Sequence, residues 1–171
     1  MLTFIIGGAG SGKSALAERL VQTLPGRRIY LAAMEVSDAE SEKRVARHRA
    51  LRAGHGFETV EQPCHLERAA IPPGANVLLE DLSNLLANEL FSPAGGGAAA
   101  ALRGVEAVLA SAAHLTIVAN EVFAGGADYA GETLRYLQAL ARLSRVLAAR
   151  ADTVVEVVCG LPNVLKGALP W

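Results

Sequence analysis

The residues with the clearest chemical content stand near the N-terminus: Gly7-Gly8-Ala9-Gly10-Ser11-Gly12-Lys13-Ser14. They fit the pattern G-x-x-x-x-G-K-[S/T] and lie between a short apolar run and a helical repeat, the context in which that pattern binds phosphate. Glycine lets the backbone curl until successive N–H groups face phosphate oxygens. The N-terminus of the following helix adds a favourable dipole. Lys13 offers a cation to the β and γ phosphates, and the Ser14 hydroxyl offers a ligand to Mg²⁺. The loop predicts binding of a nucleoside triphosphate and transfer of a group from it. Such a loop works with an acid at the end of another parallel strand. Glu80 and Asp81 both follow Val77-Leu78-Leu79. Adjacent strand residues face opposite ways, so only one of the two is expected to serve the metal.

A second group of residues could act on phosphorus. At helical spacing within residues 39–52, Arg44, His48 and Arg52 fall on one face. Flanking arginines lower the pKa of a histidine by like-charge repulsion, and a neutral imidazole is a nucleophile. Guanidinium groups can also grip phosphates. The run suits a histidine–phosphorus intermediate, but taken alone it reads first as a solvated basic helix face. His55, His65 and His114 have no comparable setting and read as structural or surface groups. Cys64 and Cys159 make neither a metal-ligand spacing nor a disulfide framework.

The elements that must hold these groups alternate. Strands are expected over 2–6, 28–33, 57–60, 76–81, 114–120 and 153–158. Helices are expected over 12–24, 39–52, 83–91 and 132–149, together with a flexible Gly/Ala loop over 92–101 that runs into a helix ending near 113. The order implies an α/β fold of the P-loop NTPase-like kind, a mostly parallel sheet with helices on both faces. No break in composition divides residues 1–171, so one domain is expected. A hydrophobic fraction of 51% against 19% charged residues is that of a packed globule, and a net charge of −1 gives no reason to expect nucleic acid or a membrane surface as partner. Lacking a basic leader and a membrane-length apolar run, the chain is expected to be cytoplasmic.

Several segments, in order, resemble one family. They are the loop 7–14; Ile29-Tyr30-Leu31-Ala32-Ala33; Arg44-Val45 with His48 and Arg52; Thr59 and Glu61; Leu78-Leu79-Glu80 with Asn88; Asn120-Glu121-Val122; and Ala148, Ala151-Asp152 and Gly160-Leu161-Pro162 with Lys166. Together they resemble the bifunctional adenosylcobinamide kinase/adenosylcobinamide-phosphate guanylyltransferase family of cobalamin biosynthesis. The resemblance implies two reactions. Adenosylcobinamide is phosphorylated by ATP or GTP; then GTP guanylylates the enzyme, and GMP passes to adenosylcobinamide phosphate, giving adenosylcobinamide-GDP and pyrophosphate. It implies that His48 is the guanylylated residue. It also implies nucleotide contacts at Ala32-Ala33-Met34, at Arg49-Ala50-Leu51-Arg52 and at Glu61 and Glu80, and it favours Glu80 over Asp81 for Mg²⁺. It further implies a homo-oligomer of the trimeric type.

The chain departs from the family pattern at Phe57, where tryptophan is usual, and at Phe123, where glycine is usual. It departs again at Leu137-Gln138, Ala141 and Ser144-Arg145. These departures leave the loop and His48 untouched and bear on the acceptor and on oligomer contacts. Two other readings use the same loop. A single-activity small-molecule kinase would need Lys13, Ser14 and Glu80 but not His48. A nucleotide-binding accessory protein would show no turnover.

Overall fold

The computed structural model describes residues 1–34, 54–123 and 128–171. The expected helix over 39–52, and with it Arg44, His48, Arg49, Ala50, Leu51 and Arg52, lies outside the described residues. The strands are β1 (Leu2–Gly7), β2 (Arg28–Ala32), β3 (Glu58–Glu61), β4 (Asn76–Glu80), β5 (His114–Asn120), β6 (Thr153–Val158) and β7 (Leu161–Lys166). The helices are α1 (Lys13–Thr23), α2 (Leu82–Phe91), α3 (Ala98–Ser111) and α4 (Gly131–Arg150), with a 3₁₀ turn at Leu66–Arg68. The strands form one sheet in the order β3-β2-β4-β5-β1-β6-β7. Neighbours from β3 to β6 pair parallel, and β7 pairs antiparallel to β6.

The central strands read as continuous apolar runs because both of their faces are covered. Alternate residues serve different cores. Ile5, Tyr30, Leu78, Val118 and Val155 pack under α1 against Leu16, Ala17, Leu20 and Val21. Phe4, Ile29, Leu31, Val77, Leu79, Leu115 and Ile117 pack on the opposite side, against Leu82, Leu85 and Leu86 of α2, Val105 of α3 and Leu140 of α4. Phe57 is buried in the α1-side core and meets Tyr30 edge-on with ring centroids 6.2 Å apart. Among the described residues, no helix is long and apolar enough to cross a membrane.

Two segments differ from expectation. The chain does not end its sheet at β6. β7 follows, exposed at every residue and with Pro162 in its ladder. Leu-Pro-Asn-Val-Leu-Lys has no buried face and so no period-2 signal, and proline is tolerated because this is an edge strand. The glycine-rich stretch after α2 is tied down rather than free. The carboxylate of Glu89, itself buried, accepts from the Gly96 N–H (2.7 Å) and the His65 N–H (2.6 Å), and the Glu89 carbonyl accepts from the Gly97 N–H (2.7 Å). A Cβ on Gly95 would lie 2.4 Å from that carbonyl oxygen, so glycine supplies close approach here.

The histidines without a chemical setting are accounted for. His114 is buried, bonded through Nε2 to the Thr3 hydroxyl (2.9 Å), and burial holds its pKa below the ordinary value. The His65 ring bonds the Ala94 carbonyl (2.7 Å), and His55 meets Glu18 at the surface.

Gly104 on α3 faces the 3₁₀ turn so closely that a Cβ there would sit 2.9 Å from Leu66 Cβ and 3.1 Å from its backbone nitrogen. Alanine gains about 1 kcal/mol in helix propensity, but overpacking of this kind costs about 1–3 kcal/mol. Gly104→Ala is therefore expected to lower the urea-unfolding free energy; a rise would show that the turn yields freely.

Candidate nucleotide site

Parallel pairing puts the carboxyl ends of β1 to β6 along one edge of the sheet, where open α/β sheets bind ligands. The phosphate loop leaves β1 at this edge. Gly10 and Gly12 adopt positive φ (70° and 92°), which side-chain-bearing residues rarely adopt. Gly7 is packed so closely that a Cβ would lie 2.6 Å from the Ser11 hydroxyl and from the Val157 carbonyl. The loop is braced by Ser11 N–H to Gly8 O (3.2 Å) and by Gly160 N–H to Ser11 O (2.8 Å). No acid stands in the first turn of α1, so its positive end is not neutralised by its own side chains. Lys13 is buried, and its ammonium donates to the Gly8 carbonyl (3.0 Å), spanning the loop.

The Ser14 hydroxyl donates to Glu80 Oε1. The other carboxylate oxygen of Glu80, Oε2, is buried without a hydrogen-bond partner among the described residues. Burial is the main cause that raises the Glu80 pKa; the Asp81 charge adds to it, while the Ser14 bond and Lys13 oppose it. A hydroxyl beside a carboxylate with an unused oxygen is the donor set of a hard cation, so these residues fit Mg²⁺.

Asp81 lies just beyond the strand and has a different task. It is the N-cap of α2: Oδ1 accepts from the Asn84 N–H (2.7 Å), and Oδ2 accepts from the Asn84 amide and the Asn120 amide (3.2 Å each). Burial raises its pKa as well, against these donors and Lys13. Asn120 also donates its N–H to the Ser83 hydroxyl (3.0 Å), and the Tyr136 hydroxyl of α4 donates to the Ser83 carbonyl (3.2 Å). The Glu121 N–H binds the Gly7 carbonyl (2.9 Å), joining β5 to the loop. A cavity of about 330 Å³ runs along the loop, lined by Gly7 to Ser11 with Glu121, Glu156 and Cys159.

Ala32, Ala33, Met34 and Glu61 lie at the ends of β2 and β3, on the same edge as the loop. They stand beyond β4, with the Ala33 N–H on the Glu80 carbonyl (3.0 Å) and the Gln62 N–H on the Ala32 carbonyl (3.0 Å). The edge thus gathers every described candidate residue.

The family model for cobinamide kinase / cobinamide phosphate guanyltransferase matches residues 3–165. The chain belongs to this family. It is 33% identical over 173 residues to the bifunctional adenosylcobalamin biosynthesis protein CobP of Pseudomonas aeruginosa, an alignment that covers 98% of each chain. It is 30% identical over 183 residues to the CobU proteins of Escherichia coli and Salmonella typhimurium, covering 97% of this chain and all of each relative. It is accordingly an enzyme of the cobinamide kinase/guanyltransferase kind, a transferase of cobalamin biosynthesis. Phe123, Gln138, Ala141, Ser144 and Arg145, all positions read from the sequence as unlike the family pattern, line one groove of about 650 Å³. No phosphate-loop residue lines that groove.

Sequence reasoning named the loop and Glu80 as candidates but not three supports around them. The Asp81 cap was signalled by an Asp just before a helical apolar run. Asn120 on Asp81 and Tyr136 on Ser83 are side-chain contacts between distant segments and leave no local pattern.

The raised Glu80 pKa makes a signed expectation. A carboxyl whose folded pKa lies above its unfolded value, ordinarily 4.5, favours folding while protonated and loses that contribution as pH rises through the folded pKa. Glu80→Gln is therefore expected to match wild type in thermal stability at pH below about 4 and to exceed it, nucleotide-free, at neutral pH. The same variant should bind Mg²⁺-nucleotide more weakly. Neutral-pH destabilisation in the absence of ligand would contradict the burial account.

Proposed function

We propose that this chain, as one domain, phosphorylates adenosylcobinamide with ATP or GTP and then guanylylates the product through His48. The observation that carries the nucleotide half is the Ser14–Glu80 hydrogen bond beside Lys13, at the acid-free start of α1. The loop N–H groups and Lys13 would hold the triphosphate, with Lys13 leaving the Gly8 carbonyl for the phosphates. Mg²⁺, held by Ser14 and Glu80, would supply charge neutralisation on the phosphate oxygens. In the first reaction the acceptor hydroxyl attacks the γ-phosphorus, the bond to the β-phosphate oxygen breaks, and the hydroxyl proton is lost to solvent. In the second, a neutral imidazole nitrogen of His48 attacks the α-phosphorus of GTP and pyrophosphate leaves. A phosphate oxygen of adenosylcobinamide phosphate then attacks the same phosphorus. The N–P bond breaks, freeing His48 and giving adenosylcobinamide-GDP.

The support for His48 is its place in the arginine-flanked segment and the family membership of the whole chain. Ala32, Ala33, Met34, Arg49, Ala50, Leu51, Arg52 and Glu61 are assigned to the nucleotide on the same grounds. A cytoplasmic homo-oligomer is the setting this reading adopts.

Incubation with GTP labelled at the α-phosphate is expected to give an acid-labile, base-stable adduct that is absent in His48→Asn. Lys13→Ala should lower both activities by about a hundredfold or more. An intact, GTP-binding protein that transfers γ-phosphate but never takes up label would instead be a single-activity kinase. One that does neither would be a nucleotide-binding accessory protein.

A further inference from the structure

We propose that Asn88 is a positioning residue for the guanylyl-transfer step, holding the β2/β3 end of the site in place without touching substrate. The inference rests on the two-reaction reading above. Its observation is a single side-chain amide that serves two chains. Asn88 Nδ2 donates to the Ala33 carbonyl (2.7 Å) and to the Pro63 carbonyl (3.0 Å). Those carbonyls lie just past the ends of β2 and β3. Ala33 and Met34 lead directly into the stretch of sequence that contains His48, and Pro63 follows Glu61 by two residues.

The placement separates two parts of one edge. In the sheet order, β2 is three strand spacings from β1, roughly 14 Å. That span is comparable to an extended nucleoside triphosphate. The γ-phosphate end is built by β1, α1 and the end of β4, from Lys13, Ser14 and Glu80. The other end is bounded by Ala33-Met34 and Glu61-Gln62. Helix α2 links them. It is capped by Asp81, and seven residues on, about 10 Å along a helix, Asn88 reaches the second end. Among the described residues Asn88 bonds neither Lys13 nor Ser14; it reaches the Glu80 carbonyl only through the Ala33 N–H (3.0 Å).

The residue type matters. A planar amide offers two N–H groups from one nitrogen, set to reach two acceptors. Aspartate has none and would turn an oxygen toward two carbonyl oxygens. Alanine would leave both carbonyls without this donor. Either change removes the tie between the two strand ends. A misplacement of about 1 Å can cost a transfer step about a hundredfold.

The test uses the full-length protein and both activities. In Asn88→Asp, labelling from α-labelled GTP at saturating nucleotide is expected to slow about 10- to 100-fold, while kcat for γ-phosphate transfer to adenosylcobinamide at saturating nucleotide stays near wild type. Glu89→Gln is the comparison: it loosens the neighbouring clamp on His65 and Gly96 and should lower Tm without changing the ratio of the two rates. If Asn88→Asp does not fold, Asn88→Ala is read the same way. Equal loss of both activities, unchanged labelling, or failure of both variants to fold would each overturn the proposal and leave Asn88 a purely structural tie. Wild-type protein that takes up no label would sink the two-reaction reading itself, a result distinct from labelling that Asn88→Asp leaves untouched.

Discussion

The Ser14 hydroxyl against the Glu80 carboxylate is the contact on which the site depends. It joins the first turn of α1 to the end of β4, two strands away from β1 in the sheet. The two groups meet across β5, which lies between β1 and β4 and pairs with both in parallel register. That register is held by the two-sided burial of alternate residues, such as Ile5 and Val118 toward α1 and Phe4 and Ile117 toward the other helices. A slip of one residue would exchange the two faces of a strand and turn Glu80 away from the loop. The packing of the cores and the placing of one carboxylate are thus the same constraint.

Around that contact, backbone groups are committed to neighbours rather than to solvent. Glu121 N–H is bonded to Gly7, Gly160 N–H to Ser11, Ala33 N–H to Glu80 and Gln62 N–H to Ala32. Three of these bonds end on the last residue of a strand, β1, β4 or β2, and the fourth joins two loops. The loops can then carry side chains at fixed separations, which group transfer requires. Helix α2 takes part at both ends, capped by Asp81 near Lys13 and tied through Asn88 to β2 and β3.

The sheet was legible in the sequence because buried parallel strands read as short apolar runs between glycine-rich or polar breaks. The bounds of β1, β4, β5 and β6 fell within a residue of expectation. The phosphate loop was legible because its chemistry is local: eight consecutive residues supply backbone, cation and hydroxyl. β7 was not, since an exposed edge strand with proline has no face to betray it. Nor were the tasks of Asn88, Glu89 and Asn120, whose partners lie far along the chain. Glycine was read as freedom at 95–97, whereas at Gly95 it is proximity to α2 that excludes a side chain. Composition alone cannot separate those two uses.

The adjacent acids show which demand prevails. Burying an ionised carboxylate costs several kcal/mol unless it is paired. Asp81 is satisfied by an N-cap and two amides, which offset part of the cost of its burial. Glu80 is not: one oxygen meets Ser14, the other has no donor among the described residues, and Lys13 donates to the Gly8 carbonyl. A chain selected for stability alone would carry an amide or an apolar residue at position 80. What an amide cannot do is gain strength when a cation arrives. On the proposed reading, the unmet oxygen of Glu80, a cost in the empty protein, would become an attraction once Mg²⁺ and triphosphate bind, so that binding energy would be drawn from a defect the fold already holds.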